Sequence, residues 1–181
     1  MKALLERLAA RYRLEPPEFR RANLAFVTVP REELRAILTE LRDVEGFTHL
    51  VLLTAVDWIE EGKFQLTYML NNRKADQTLG LRVMLDRRKA TGDTIHDLWP
   101  TAATYQRELK EMFGIDFPGS PRVNDEFILE GWTDLPPYRR DFDTLAYSLQ
   151  TYRERPGRIT HDPREHMKRH LYPDRAPGGA K

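Results

Sequence analysis

Two histidines, His166 and His170, stand four residues apart on a stretch that Asp162-Pro163 is suited to open as a helix. That spacing turns both imidazoles to one side, where a metal ion can be shared. A zinc-hydrolase helix also needs a glutamate directly after the first histidine. Here that position is Met167, and Lys168 and Arg169 add repulsive charge. The plainer reading is a solvated basic helix that pairs with an acidic partner. His49, His96 and His161 have no second ligand at a recognisable spacing. Glu108 and Glu111, three apart, suit paired acid–base carboxylates, but Arg107 lies four before Glu111, the spacing of an ordinary helix-surface ion pair. A small hydrolase built on Glu108, Glu111 and a tail histidine is one reading of these groups. No phosphate-cradling glycine loop, nucleophile elbow or EF-hand pattern accompanies them, so no self-contained active site is expected.

The elements that must carry these residues follow from periodicity. Leu4, Leu5 and Leu8 repeat at helical spacing until Pro16-Pro17 stops the pattern. Residues 24–29 read as a strand, and Pro30 opens a helix with Leu34, Ile37, Leu38 and Leu41 on one face. Residues 50–56 are almost continuously apolar, as in a central strand buried on both faces. Phe64, Leu66, Tyr68 and Leu70 alternate along one strand and Leu79, Leu81, Val83 and Leu85 along the next, with the polar stretch 71–78 as their hairpin. Asp93 or Thr94 is expected to cap a helical segment holding Ile95, Leu98 and Trp99. A longer helix carries Ala102, Tyr105, Leu109 and Met112 to its end at Gly114. Beyond it, Pro118, Gly119, Pro121, Gly131, Pro136 and Pro137 predict an extended, wrapping segment, and most of the tail reads the same way. The division expected is an α+β domain over 1–117, a mixed sheet covered by helices, and an extended segment with a basic tail over 118–181.

The 181 residues include 29 basic and 28 acidic side chains, a balance without the single-sign excess of a nucleic-acid binder. Residues 151–181 nevertheless carry +4, a basic arm on a slightly acidic body. There is no cysteine, so neither disulfides nor the usual thiolate ligands of iron–sulfur clusters and structural zinc are available. The N-terminal apolar run is broken by Glu6 and Arg7, unlike a signal peptide, and no stretch approaches the roughly 20 apolar residues that cross a bilayer. A cytoplasmic chain, reaching the membrane only through partners, is the expectation.

Trp132, Tyr138, Phe142, Tyr147 and Tyr152 are scattered among arginines through the irregular segment. Aromatics and arginine dominate interface hot spots; the same residues also serve to staple an extended chain to its own sheet. Around them the sequence becomes distinctive: Trp99-Pro100, then Gln106-Arg107-Glu108, then Met112-Phe113-Gly114-Ile115, then Phe117, Gly119 and Pro121, then Pro137 and Arg139-Arg140-Asp141-Phe142. With Ala55-Val56-Asp57-Trp58 and 64–70 upstream, these residues resemble, in register over 50–142, the C subunit of the proton-pumping NADH dehydrogenase, respiratory complex I. That family reads W-P-A-A-N-W-x-E-R-E-x-x-D-[ML]-F-G-I-x-F, followed by G-H-P and a G-H-P-L-R-K-D-[YF] block. This chain departs from it at Ala103, Thr104, Gln106, Glu111, Ser120 and Pro136. Those departures favour the related membrane-bound hydrogenases and similar ion-pumping complexes.

The resemblance implies a non-catalytic assembly subunit in the peripheral arm of a membrane-bound, ion-translocating oxidoreductase, NADH dehydrogenase-like or nickel–iron hydrogenase-like. It implies no cofactor in this chain, with iron–sulfur clusters and a quinone or nickel–iron centre in partner subunits. The expected partners are the large catalytic subunit and the adjacent iron–sulfur small subunit, on the inner face of the membrane. Partner contacts are expected from Trp99, Arg107, Glu108, Glu111, Phe113, Phe117, Pro121, Trp132, Tyr138, Arg139, Arg140, Asp141 and Phe142. The reading that competes with it is a free-standing binding module whose basic tail engages RNA or an anionic membrane.

Overall fold

The computed structural model describes residues 1–152 together with Asp162, Arg164, Glu165 and Met167. The His166–His170 metal reading falls outside these residues. Two compact units result, Met1–Phe142 and Asp143–Lys181. The first contains α1 (Lys2–Ala9), β1 (Glu18–Arg21), β2 (Leu24–Thr28), α2 (Arg31–Asp43), β3 (His49–Trp58), β4 (Lys63–Asn72), β5 (Gln77–Asp86) and α3 (Ala102–Phe113). Residues 118–142, regular in neither helix nor strand, also belong to it. The second contains α4 (Thr144–Thr151), capped by the Asp143 carboxylate, which accepts the N–H groups of Leu145 and Ala146.

The five strands form one mixed sheet in the order β1-β2-β5-β4-β3. β2 and β5 are parallel and the other neighbours antiparallel. This is the α+β architecture expected. Alternation does what its period requires. Phe64, Leu66, Tyr68 and Leu70 of β4 lie on one face with Leu79, Leu81, Val83 and Leu85 of β5. There they share one core with the leucines of α1, with Leu34, Ile37, Leu38 and Leu41 of α2, and with Leu109, Met112 and Phe113 of α3. Each such buried side chain contributes about 1.5–3 kcal/mol relative to exposure. Gly114 ends α3 with φ 74°, a conformation that L side chains adopt at a cost.

Two local expectations are corrected, and two elements appear that the sequence did not announce. The apolar run 50–56 is not a central strand: β3 is an edge, and Val51, Leu52, Val56 and Trp58 are 40–42% exposed. An apolar run encodes burial on both faces without saying which chain supplies the second cover. The segment around Ile95 is a single turn, with the Leu98 and Trp99 N–H groups both donating to the Ile95 carbonyl. Its expected caps are engaged elsewhere, Asp93 with Arg31 and the Thr94 hydroxyl with Gln106. The short charged strand β1 carries no alternation that would announce it, and α4 is a two-turn helix in a tail of which most is expected to be extended.

Candidate partner-docking site

The irregular stretch after α3 is held on the domain by two polar anchors and an aromatic stack. The first anchor is Glu111 on α3. Its carboxylate accepts the backbone N–H groups of Phe127 (2.6 Å), Ile128 (2.9 Å) and Leu129 (3.1 Å). Three converging N–H donors on an anion are charge-assisted bonds, and they fix the path of the chain there. The ion pair expected between Glu111 and Arg107 is accordingly absent among the described residues. Arg107 instead lies 5.3 Å from the centre of the Phe127 ring. Lys110, one turn along, reaches Asp116 at 2.7 Å.

The second anchor is Asp57 near the end of β3, 4% exposed and turned toward the core side of the sheet. Arg87, just past β5, donates to it bidentately at 2.8 and 3.0 Å and to Asp141 at 2.6 Å. The backbone N–H of Arg140 donates to the second Asp57 oxygen at 2.9 Å. Arg140 reaches Glu60 at 2.5 Å, while Arg139 donates to the Arg87 carbonyl at 3.4 Å and lies 5.4 Å from the Phe64 ring centre. Burial alone pushes the Asp57 carboxyl up; the Arg87 guanidinium and the Arg140 N–H outweigh it and hold the group below the usual carboxylate range. Asp141 is held down chiefly by its hydrogen bond from Arg87. Arg87 is raised in turn, mainly by Asp57.

Between the anchors runs the stack. Phe113 meets Phe64 edge-on at 6.0 Å and Tyr138 at 5.6 Å, and the Tyr138 N–H donates to the Met112 carbonyl at 3.0 Å. Trp132 packs on Phe142 at 5.7 Å and donates its indole N–H to the carbonyls of Asp134 and Leu135. Nothing here constitutes an acid–base pair: Glu111 is committed to backbone, and Glu108 lies outside the cleft of about 270 Å³ that Arg107, Lys110 and Glu111 line with Trp132. Among the described residues no cluster of three or more His, Cys, Asp or Glu is placed to hold a metal ion. No helix among them is long and apolar enough to cross a membrane.

Residues 27–148 match the family described as the respiratory-chain NADH dehydrogenase, 30 Kd subunit. The chain belongs to this family. The C subunit of NADH-quinone oxidoreductase from Moorella thermoacetica is 32% identical over 121 residues, covering 64% of this chain and 78% of that protein. The C/D 2 subunit of NADH-quinone oxidoreductase from Aquifex aeolicus is 29% identical over 142 residues, 78% of this chain but 24% of that one. The chain spans between 24% and 55% of the length of several such relatives. Among solved structures, a chain of the membrane-bound sulfane sulfur reductase, an archaeal respiratory membrane complex, superposes with a TM-score of 0.77. It is 29% identical, covering 90% of this chain and 95% of that one. This is a complex I-like subunit, of a family found in multi-subunit respiratory complexes.

Against the 30 Kd family pattern, Gln106 stands where glutamate is usual and is 0% exposed. Its amide oxygen accepts from the Thr94 hydroxyl at 2.9 Å, and a neutral amide there avoids burying a carboxylate charge. Of the expected contact residues, Trp99, Phe113 and Phe117 are buried in this chain's own core, Trp99 donating its indole N–H to the Thr48 carbonyl. Arg107, Glu111, Trp132, Tyr138, Arg139, Arg140, Asp141 and Phe142 come together along the pinned segment. Pro121 is exposed on it, and Glu108 makes no hydrogen bond or ion pair among the described residues. Arg87 carries no motif that singles it out, and Asp57 stands out in the sequence only as part of a resemblance. A lone acid on the inward face of an apolar strand was the available signal, because such a charge demands a partner.

Proposed function

We propose that this chain is a non-catalytic structural subunit in the peripheral arm of a membrane-bound, ion-translocating oxidoreductase. It docks on the large catalytic subunit and lies beside the iron–sulfur small subunit at the inner face of the membrane. The observation that carries the docking partner is the Aquifex aeolicus relative, whose name joins C and D in one protein of which the matched region is 24%. Fusion keeps two modules at high effective concentration, the arrangement expected of domains that work in contact. The clusters and the quinone or nickel–iron centre reside in those partners on this reading.

The anchored segment supplies the docking element. Its ordering is accomplished within the chain, by Glu111 at one end and Asp57–Arg87 at the other, so a partner meets a pre-formed surface bearing Tyr138, Arg140 and the exposed parts of Trp132 and Phe142. Charge reversal at Arg139 and Arg140 releases the second anchor while leaving the sheet to fold, as circular dichroism would register. Co-purification of the large subunit is expected to fall sharply. Recovery equal to wild type would overturn the role given to this segment.

A further inference from the structure

β3 has the composition of a strand covered on both faces, yet it occupies an edge. Leu50, Leu53, Ala55 and Asp57 face the core, and a bulge between Leu50 and Leu52 sets Leu52, Val56 and Trp58 on the opposite face. That face carries an apolar row across four strands: Leu52 stands beside Met69, Met69 beside Gly80, and Gly80 beside Phe26. Gly80 interrupts nothing, because a Cβ there would lie 2.3 Å from the Phe26 ring and 3.1 Å from Met69 Sδ, so the two neighbours close over it. Val56, Gln65 and Met84 form a parallel row.

The charged residues of this face lie beside the row and not in it. Arg82 is bound to Glu18 at 2.8 Å and stacked 4.6 Å from the Phe26 ring centre, and Lys63 stands opposite Asp86 at one end. The row from Leu52 to Phe26 itself carries no charged side chain, so it matches an uncharged partner surface. The two edges of the sheet also differ. β1 is four residues long with the charged sequence Glu-Phe-Arg-Arg, a blunted edge. β3 is ten residues long without lysine or proline, and its one acid turns inward to Arg87. Natural sheets rarely leave such an edge and face uncovered.

We propose that the outer face of β3, with the row from Leu52 to Phe26, is a second docking surface, covered in the assembled complex by an uncharged, apolar helix face of a neighbouring subunit. The spacing suits a helix: strands about 4.8 Å apart nearly match the pitch of about 5.4 Å, so one apolar side chain per turn meets each strand in succession. This inference rests on the subunit reading above and names a surface separate from the anchored segment.

The test uses the tagged full chain in its native complex. A photo-crosslinking amino acid replaces Val56, with a control at Ala36, exposed on α2. In parallel, Leu52→Glu and Val56→Glu are combined, both sites being about 40% exposed. Position 56 should give an adduct with another subunit, position 36 none, and the double variant should recover the other subunits at least tenfold less well. No adduct at 56 in an intact complex, an adduct there to a second copy of this chain, or unchanged recovery of the folded double variant would each overturn the proposal. If the double variant does not fold, crosslinking alone decides. A wild-type chain that emerges without partner subunits overturns the subunit reading itself, a result distinct from all of these.

Discussion

Replacing Asp57 by asparagine removes one charge while keeping the shape of the side chain. It also sets an amide N–H₂ against either the Arg87 guanidinium or the Arg140 N–H. Three charge-assisted bonds end on this carboxylate, at 2.8, 3.0 and 2.9 Å, and each is worth about 1.5–3 kcal/mol. Breaking a buried pair by removing one partner costs about 3–5 kcal/mol. Arg87 keeps Asp141 at 2.6 Å and is not left wholly unpaired, so the lower end, about 3 kcal/mol, is expected. With a denaturant slope of about 1–3 kcal/mol/M, the urea midpoint at pH 7 should fall by roughly 1–3 M. The pH dependence supplies a second readout. The folded-state pKa of Asp57 lies below its unfolded value, so its contribution is fully present above about pH 4 and lost as pH falls through the folded value. Asp57→Asn should therefore flatten the acid limb of stability while leaving the region above pH 5 parallel to wild type. A midpoint change under 0.3 M, or an unchanged acid limb, would refute the placement of Asp57 at the centre of the anchor.

Other perturbations test separate parts. Glu111→Ala leaves three N–H donors without their acceptor and should cost about 1–3 kcal/mol, with faster amide hydrogen exchange confined to Phe127, Ile128 and Leu129. Trp99→Ala empties a core site and should lower stability by about 3–5 kcal/mol in thermal or urea unfolding, whereas an interface-only residue would leave the isolated chain unchanged. Gly114→Ala forces a side chain into φ 74° within 3.4 Å of Pro136 and should lower the unfolding midpoint by the equivalent of about 1 kcal/mol.

Helices α1, α2 and α3 and the β4–β5 hairpin were legible because their buried side chains repeat at periods of 3–4 and 2, and because Pro30 and Gly114 mark boundaries by backbone chemistry. β3 was legible as a strand and not as an edge, since 50–56 encodes apolar contact on two faces while only one is met among the described residues. The anchors were illegible for another reason. Arg87 lies 30 residues from Asp57 and Arg140 lies 83 away, and no periodicity links such pairs before the sheet brings the ends of β3 and β5 to the same end, on either side of β4. Glu111 misled because helical spacing offered it Arg107, while the structure gives it three backbone donors that carry no side-chain signature. The family resemblance drew attention to Asp57, Glu111 and Arg140 without saying what each one holds.

The central claim is that this chain works as one subunit of a larger membrane-bound oxidoreductase. Affinity purification of the tagged chain from membranes dissolved in mild detergent, with mass spectrometric identification of what accompanies it, tests that most directly. Near-stoichiometric recovery of a large catalytic subunit and an iron–sulfur small subunit together with membrane-embedded chains is expected. Recovery of the chain alone, or with nucleic acid in place of protein partners, would contradict it.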